Sequence, residues 1–572
     1  MINFKENISI GIAKAVDVDQ SEIYSYIELP SDSKMGDFAL PCFKLAKTLK
    51  LSPVAIAKLI QEKYKLDRNI DKVEAVNGYL NFFVNREAYI KEVISSINEK
   101  GSNYGSSNEG KSKTVVIDYS SPNIAKPFHI GHLRTTVIGG ALYKMYKFMG
   151  YNSIGINHIG DWGIQFGKVM AGISLWKDEY ILEGTDDEII NEILKIYVRF
   201  NKEEETKPGY TDLARQWFIK LEQKDEEAVK LWSWIKEISL NNYQKVYDLL
   251  NIKFDSFNGE AFYNDKMDVI ISELEDKNLL VDSQGAKVVM LDEYDMPPCI
   301  VLTSTGTTIY ATRDLAAMKY RINEYKFDKL IYVVGGEQQL HFKQIFKVME
   351  LMGYEDAVKK SEHVSFGLVV GKDGQKIGTR KGNSVLLNDI LNEAVNKSLK
   401  IIQDKNPALD NKEDIAKKVG VGAIIFNDLC NNRIKDEIFD WDDMLNFNGE
   451  TGPYVQFMYV RTQSILKKSN IDMQSINKIN YSLLKDDNTY NVIKLISNFE
   501  NVLSNALNKN EPSILTRYII DLAQAYSVFY TQCIVISEDI ETTKARLLLT
   551  KYVGDIIKKG LELLGISCPE QM

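Results

Sequence analysis

A chain of 572 residues is too long for one compact core; about 100 to 200 residues per domain is usual, so three or four domains are expected. Its composition, 44% hydrophobic and 26% charged, excludes the disordered, collagenous and disulfide-scaffold classes. A formal charge of -9 and a pI near 5.4 argue against indiscriminate nucleic-acid binding, which needs a basic surface to displace counterions, so any RNA site must be local.

Residues 1–16 have no apolar core long enough for a signal peptide, and no apolar run of bilayer-spanning length follows, so no membrane contact and a cytoplasmic location are expected. The five cysteines (Cys42, Cys299, Cys430, Cys533, Cys568) are scattered without a C-x-x-C pair, which argues against a zinc site and a disulfide framework. Residues 1–100 combine a helix-period stretch at 53–64 with a strand-like run at 76–84, VNGYLNFFV, and predict a small α/β domain. The Gly, Ser and Asn of 101–113, GSNYGSSNEGKSK, predict a linker.

From Thr114 to about residue 390, short buried-strand patterns alternate with helices: TVVIDYS, a helix over about 132–149, SIGINHIG, and later KLIYVVGG and VSFGLVVG. That alternation predicts a doubly wound parallel sheet. A long helical stretch over 168–277 without strand alternation reads as an insertion, placed at about 168–300. Past about Asn388 the helical period persists, with amphipathic runs at 415–430, 513–529 and 544–564, and predicts a C-terminal α-helical bundle.

His129, His132 and His158, three of only five histidines, fall in two Gly-containing strand-to-helix turns. In 120–132, SSPNIAKPFHIGH, a strand gives way to a Pro-containing loop, and His129 and His132 stand three apart where a helix begins. That spacing sets both rings beside unpaired backbone N–H groups and the positive end of the helix dipole, a site suited to polyphosphate. Two histidines at a helix start could equally cap or pack.

His129, Ile130, Gly131 and His132 resemble the HIGH motif of class I aminoacyl-tRNA synthetases and related nucleotidylyltransferases. The resemblance implies a Rossmann-like catalytic domain in which Gly131 lets adenine approach the backbone and the histidines hold the triphosphate of ATP as pyrophosphate leaves. The loop 374–384, GQKIGTRKGNS, resembles the family's KMSKS loop, with Lys376 at the first lysine position and Thr379 in place of the second. Arg380, Lys381 or Lys126, three residues before His129, must then supply the missing cation; Lys126 is the candidate, since many arginyl enzymes lacking that lysine carry one just ahead of HIGH.

Three further blocks resemble arginyl-tRNA synthetases in particular: 157–167 (NHIGDWGIQFG), 307–315 (TTIYATRDL) and 335–346 (GGEQQLHFKQIF). The resemblance implies an arginine pocket of Asn123, Asn157, Glu260, Tyr310, Asp314 and Gln338, with Asn157 on the substrate's amine or carboxylate. The chemistry suits a guanidinium, a planar fork of N–H donors that requires a carboxylate, neutral acceptors and a flat aromatic wall. Tyr310 and Asp314, four apart, share a helix face and supply wall and charge. Singly, each of these residues has an ordinary reading as a helix-surface pair or a strand-end cap.

Toward the C-terminus, 448–466 (NGETGPYVQFMYVRTQSIL) and the terminal GISCPEQM resemble the same family's anticodon-binding domain. Implied are a helical stem-contact region over 391–447 and an anticodon-binding bundle over 448–572, where Tyr526 and Phe529 would stack on splayed bases, although as helix residues they could equally be core. Residues 1–100, with Lys34, Gly36, Asp37 and Phe38, resemble the family's additional tRNA-contacting domain. The activity implied is ATP-dependent ligation of L-arginine to tRNA(Arg) through arginyl-adenylate, with Mg2+ brought by ATP, no zinc, and a monomeric enzyme. The alternatives are a class I synthetase for another amino acid and a catalytically silent tRNA-binding paralogue, the latter suggested only by Thr379.

Overall fold

The computed structural model describes residues 4–30, 35–304, 309–375, 385–476 and 478–572. The chain divides into two compact units, one of Met1–Tyr104, Thr462–Phe499 and Asp521–Ile556, the other of Gly105–Arg461, Glu500–Ile520 and Ile557–Met572.

The second unit is built on a parallel sheet in the order Ser361–His363, Lys329–Tyr332, Thr114–Asp118, Asn152–Ile156. Thr114–Asp118 (TVVID) is β-branched and buried along nearly its whole length, as a central strand covered on both faces must be. The chain leaves it toward Asn152–Ile156 on one side and returns on the other at Lys329–Tyr332. Strand order reverses there, and a crevice opens at the carboxyl ends where the two crossovers diverge. Helix Leu133–Phe148 follows the central strand and is buried on most of its faces.

Between Asn152–Ile156 and Lys329–Tyr332 run helices Ile164–Trp176, Asp186–Glu204, Gly209–Glu222 and Glu226–Leu249. Thr185 and Glu188 close a reciprocal capping box on the second, and Asp225 caps the last, which explains why charged, weakly apolar sequences still start helices there. A three-stranded antiparallel sheet over 280–302 closes this stretch. The strand-like run 364–371 is not one strand: Val369–Val370 pairs with Glu437–Ile438, and Phe366 makes an isolated parallel bridge to Gly335.

In the first unit, the run 76–84 is half of a hairpin. Ile70–Val76 and Tyr79–Val84 pair antiparallel around Asn77 and Gly78, both at positive φ (49° and 82°), the backbone that a two-residue hairpin turn requires. The rest of this unit includes helices Phe4–Val16, Pro53–Lys63, Arg86–Lys100 and Asp487–Ser497.

Candidate active site

Three strand ends converge on the crevice. At the end of Thr114–Asp118, Ser120, Ser121 and Ala125 stand at φ 72°, 49° and 62°, left-handed geometry that costs about 1–2 kcal/mol per residue and persists only where surroundings enforce it. The enforcement comes from helix Glu226–Leu249, whose Ser239, Tyr243 and Tyr247 recur every four residues along one face. Ser239 Oγ accepts the N–H of Ala125 (3.0 Å), the Tyr243 hydroxyl lies 2.7 Å from the carbonyl oxygens of both Asn123 and Lys126, and the Tyr247 hydroxyl bonds Ser120 Oγ (2.9 Å). Burial holds both tyrosine hydroxyls above their ordinary range, so they stay protonated.

Asn157, just past Asn152–Ile156, is fully buried; its Oδ1 accepts the Ser121 N–H (3.1 Å) and its Nδ2 donates to the Tyr247 hydroxyl (2.9 Å). These two bonds tie Asn157 to the loop and leave its amide one further N–H and one further acceptor lone pair. His158 lies against buried Arg321 (3.4 Å), which pairs with Asp118 at 2.7 Å, and burial lowers its imidazole pKa. Buried Asp161 joins three segments, accepting the Ala261 N–H (2.8 Å), pairing with Lys236 (2.7 Å) and presenting its carbonyl to the Trp232 indole (2.8 Å).

His129 and His132 flank a single tight turn, ring centroids 3.9 Å apart. His129 Nδ1 accepts the Gly131 N–H (3.0 Å), and His132 Nδ1 accepts the His129 N–H (3.3 Å). The proton of each neutral ring therefore sits on Nε2. Phe128 stacks on His132, and burial, then the neighbouring His129, pushes the His132 pKa down to about 3, so this ring is a neutral donor. A Cβ on Gly131 would stand 2.8 Å from His129 Cε1, which explains the glycine. These residues line a cavity of about 270 Å³ together with Ser120, Thr135, Val333, Gly335 and Phe366.

On the other side of the same loop lies a cleft of about 2150 Å³, lined among others by Asn123, Lys126, Trp162, Glu260, Tyr310 and Arg313. Tyr310 opens helix Tyr310–Tyr325 and is 59% exposed, its ring centroid 4.8 Å from that of His341. Asp314, one turn on, is bonded by His341 Nε2 at 2.6 Å. Burial acts to raise the Asp314 carboxyl, but the His341 bond together with the electrostatic pull of His341, His158 and Arg321 outweighs it and holds the pKa below its ordinary value. Burial pushes Glu260 up to about 7 although Arg313 Nη1 stands 3.3 Å from its Oε2. Gln338 is exposed in the turn just ahead of helix Gln339–Leu351, which carries His341. Lys126 is half-buried, its Nζ 5.5 Å from the Tyr197 ring.

Lys376 and Arg380, like Thr379, Lys381 and Lys34, lie outside the described residues. The chain resumes beside the histidine turn: Ile130 N–H donates to Val385 O (3.1 Å), Leu387 N–H donates to Phe128 O (2.9 Å), and Leu386 bridges His129 antiparallel. Tyr526 and Phe529 are both fully buried, ring centroids 5.8 Å apart, with the Tyr526 hydroxyl 3.3 Å from Thr550 Oγ1. This corrects their assignment as base-stacking residues, because no ring face is open to a base.

Sequence reading did not single out Arg313 or His341. His341 could have been found as a scarce histidine three residues after Gln338; Arg313, inside a block read for its neighbours, gave no separate signal.

Family models match three stretches: class I tRNA synthetases (R), catalytic domain, over residues 93–441; the DALR anticodon binding domain over 455–572; and the arginyl tRNA synthetase N terminal domain over 3–84. Among curated relatives, the arginine--tRNA ligases of Alkaliphilus metalliredigens and Halothermothrix orenii are 50% and 49% identical over 573 residues, covering 100% of both chains in each case. Among solved structures, the arginyl-tRNA synthetase of Thermus thermophilus superposes with a TM-score of 0.84 at 22% identity, covering 100% of each chain. That of Plasmodium falciparum superposes at 0.82 and 24% identity, covering 100% of this chain and 99% of its own.

Proposed function

The chain belongs to the arginyl-tRNA synthetase family and charges tRNA with arginine, and from that premise we propose how its residues divide the work. ATP occupies the cavity beside His129, Gly131 and His132, with the Nε2–H of His132 donating to a phosphate oxygen. Magnesium enters with ATP, held by its phosphates, as is usual for an ion reluctant to shed water. Arginine lies in the adjoining cleft with its guanidinium between Glu260 and Asp314 and its flat face against Tyr310. Asn123 and Gln338 complete the pocket, and Asn157 serves as a positioning residue for the loop.

In the first step an oxygen of the arginine carboxylate attacks the α-phosphorus of ATP. The new P–O bond forms as the α–β bridge breaks, and pyrophosphate carries away the electron pair. Cations from Lys126, Lys376 and Arg380 offset the departing charge. In the second step the 2′-hydroxyl of the terminal adenosine of tRNA attacks the activated carbonyl and AMP leaves. Neither step requires a covalent enzyme intermediate; positioning and charge complementarity suffice. The helical C-terminal residues read the anticodon, and the enzyme works as a cytoplasmic monomer.

The observation that carries this reading is a cleft lined by the Glu260 carboxylate and the exposed Tyr310 ring, with Asp314 one turn on from Tyr310, and by Asn123 and Lys126 of the same loop that carries the histidine turn. Removing one charge-assisted hydrogen bond costs about 1.5–3 kcal/mol, so Asp314→Asn and Glu260→Gln should each raise the KM for arginine about 10- to 100-fold and leave the KM for ATP within about twofold. ATP–pyrophosphate exchange measured with tRNA present checks this. A shift in the KM for ATP with that for arginine unchanged would overturn the placement.

A further inference from the structure

A protein guanidinium already stands where a substrate guanidinium is needed. Arg313, on helix Tyr310–Tyr325, is 8% exposed and meets Glu260 through a single contact, Nη1 to Oε2 at 3.3 Å. Its Nε is buried without a hydrogen-bond partner among the described residues. As a stabilising device this is poor: a buried cation with an unmade bond costs more than an apolar side chain of the same volume. The explanation therefore lies in what Arg313 does to its neighbour.

The groups facing Glu260 make that effect specific. On its own helix Arg313 is followed by Asp314, which takes a hydrogen bond from His341 of the helix beyond. From the loop after Asn152–Ile156 comes Asp161, neutralised by Lys236 of helix Glu226–Leu249. Glu222, at the end of helix Gly209–Glu222, faces Arg313; burial raises its carboxyl pKa and Arg313 only partly opposes the rise. Without Arg313 two carboxylates, Glu260 and Asp314, would face each other across a poorly hydrated wall, and such a pair takes up a proton instead of holding both charges.

We propose that Arg313 is a positioning residue that keeps Glu260 ionised and turned toward the cleft, so that Oε2 stays on the protein and Oε1 is presented to the arginine guanidinium. The proposal rests on Glu260 being part of the arginine pocket. The balance of causes on Glu260 agrees: burial and the two aspartates push its pKa up, and Arg313 is the group that opposes them. With Glu260 near 7, the proton that blocks guanidinium binding is lost as pH rises through neutrality. Wild-type affinity for arginine accordingly improves with pH in that range, and loss of Arg313 moves the whole transition upward.

The test is the KM for arginine from pH 6 to 9, by ATP–pyrophosphate exchange with tRNA present, for wild type, Arg313→Met, Arg313→Lys, Glu260→Gln and the Arg313→Met/Glu260→Gln double variant. Expected is a ratio of KM at pH 6.5 to KM at pH 8.5 about tenfold larger in Arg313→Met than in wild type, restored by Arg313→Lys and abolished in the double variant. A rise in KM by one factor at every pH would reduce Arg313 to packing and overturn the proposal. A fall in KM would overturn it in the other direction, making Arg313 a competitor of the substrate. If Glu260→Gln alone leaves the KM for arginine unchanged, the pocket assignment fails first; if it raises KM and Arg313→Met shows no new pH dependence, only the proposal fails. Should Arg313→Met lose its fold by circular dichroism, Arg313→Gln, which keeps a donor, carries the same comparison.

Discussion

A ring with a pKa near 3 carries no charge at neutral pH, so His132 can donate one hydrogen bond to a phosphate but cannot offset the charge that builds on departing pyrophosphate. Burial under Phe128 and the proximity of His129 decide this. Positive charge must come from elsewhere, and Lys126, half-buried at the lip of the cleft and carried on a loop clamped through its own carbonyl by Tyr243, is the nearest described lysine in the sequence to the turn. Removing one preorganised charge from such a site costs about 10²–10³ in rate, so Lys126→Ala should slow ATP–pyrophosphate exchange by at least about 100-fold while Lys126→Arg retains most of it. An exchange rate unchanged in Lys126→Ala would return the missing cation to Arg380 or Lys381.

At the scale of elements, one of the inserted helices holds the loop that leads into the histidine turn. Helix Glu226–Leu249 presents Ser239, Tyr243 and Tyr247 to a loop of left-handed residues that would otherwise relax, so strain in the loop is offset by hydrogen bonds from a segment more than 100 residues away. Helices Ile164–Trp176 and Gly209–Glu222 approach so closely that a Cβ on Gly167 would overlap the backbone carbonyl of Ala214, which has no rotamer with which to retreat. Gly167→Ala should therefore cost about 1–3 kcal/mol by forcing the two helices apart, despite its better helix propensity. Thermal unfolding followed by circular dichroism reads this as a lower midpoint; an unchanged or higher midpoint would mean the packing yields without strain.

For the molecule as a whole, net charge and burial limit where RNA can be gripped. With a charge of -9 there is no general basic surface, and the C-terminal aromatics Tyr526 and Phe529 are spent on the core of their own unit. Phe529→Ala should behave as a core truncation, losing about 3–5 kcal/mol of stability, with the KM for tRNA within about twofold of wild type at temperatures where the variant is folded. A variant of unchanged thermal midpoint with a raised KM for tRNA would restore the stacking role.

The amino-acid sequence by itself determined the alternation of buried strands and helices, the histidine turn and the block bearing Tyr310 and Asp314, because each is a local pattern: a period, a cap, or a short run of residues that chemistry requires together. The hairpin at Asn77–Gly78 was legible in its turn residues and passed over for the apolar run around it. Other features were not legible at all. Tyr526 looks like a ligand in one dimension, and only packing shows that it is fully buried; only packing shows, too, that Asn157 ties Ser121 to Tyr247. Arg313 against Glu260, His341 against Asp314 and the Tyr247 clamp join residues from 27 to 127 positions apart. Hydrogen bonds and charge coupling act through a few ångströms of space, so tertiary structure alone decided which of the candidate residues can touch a substrate and which hold the others in place.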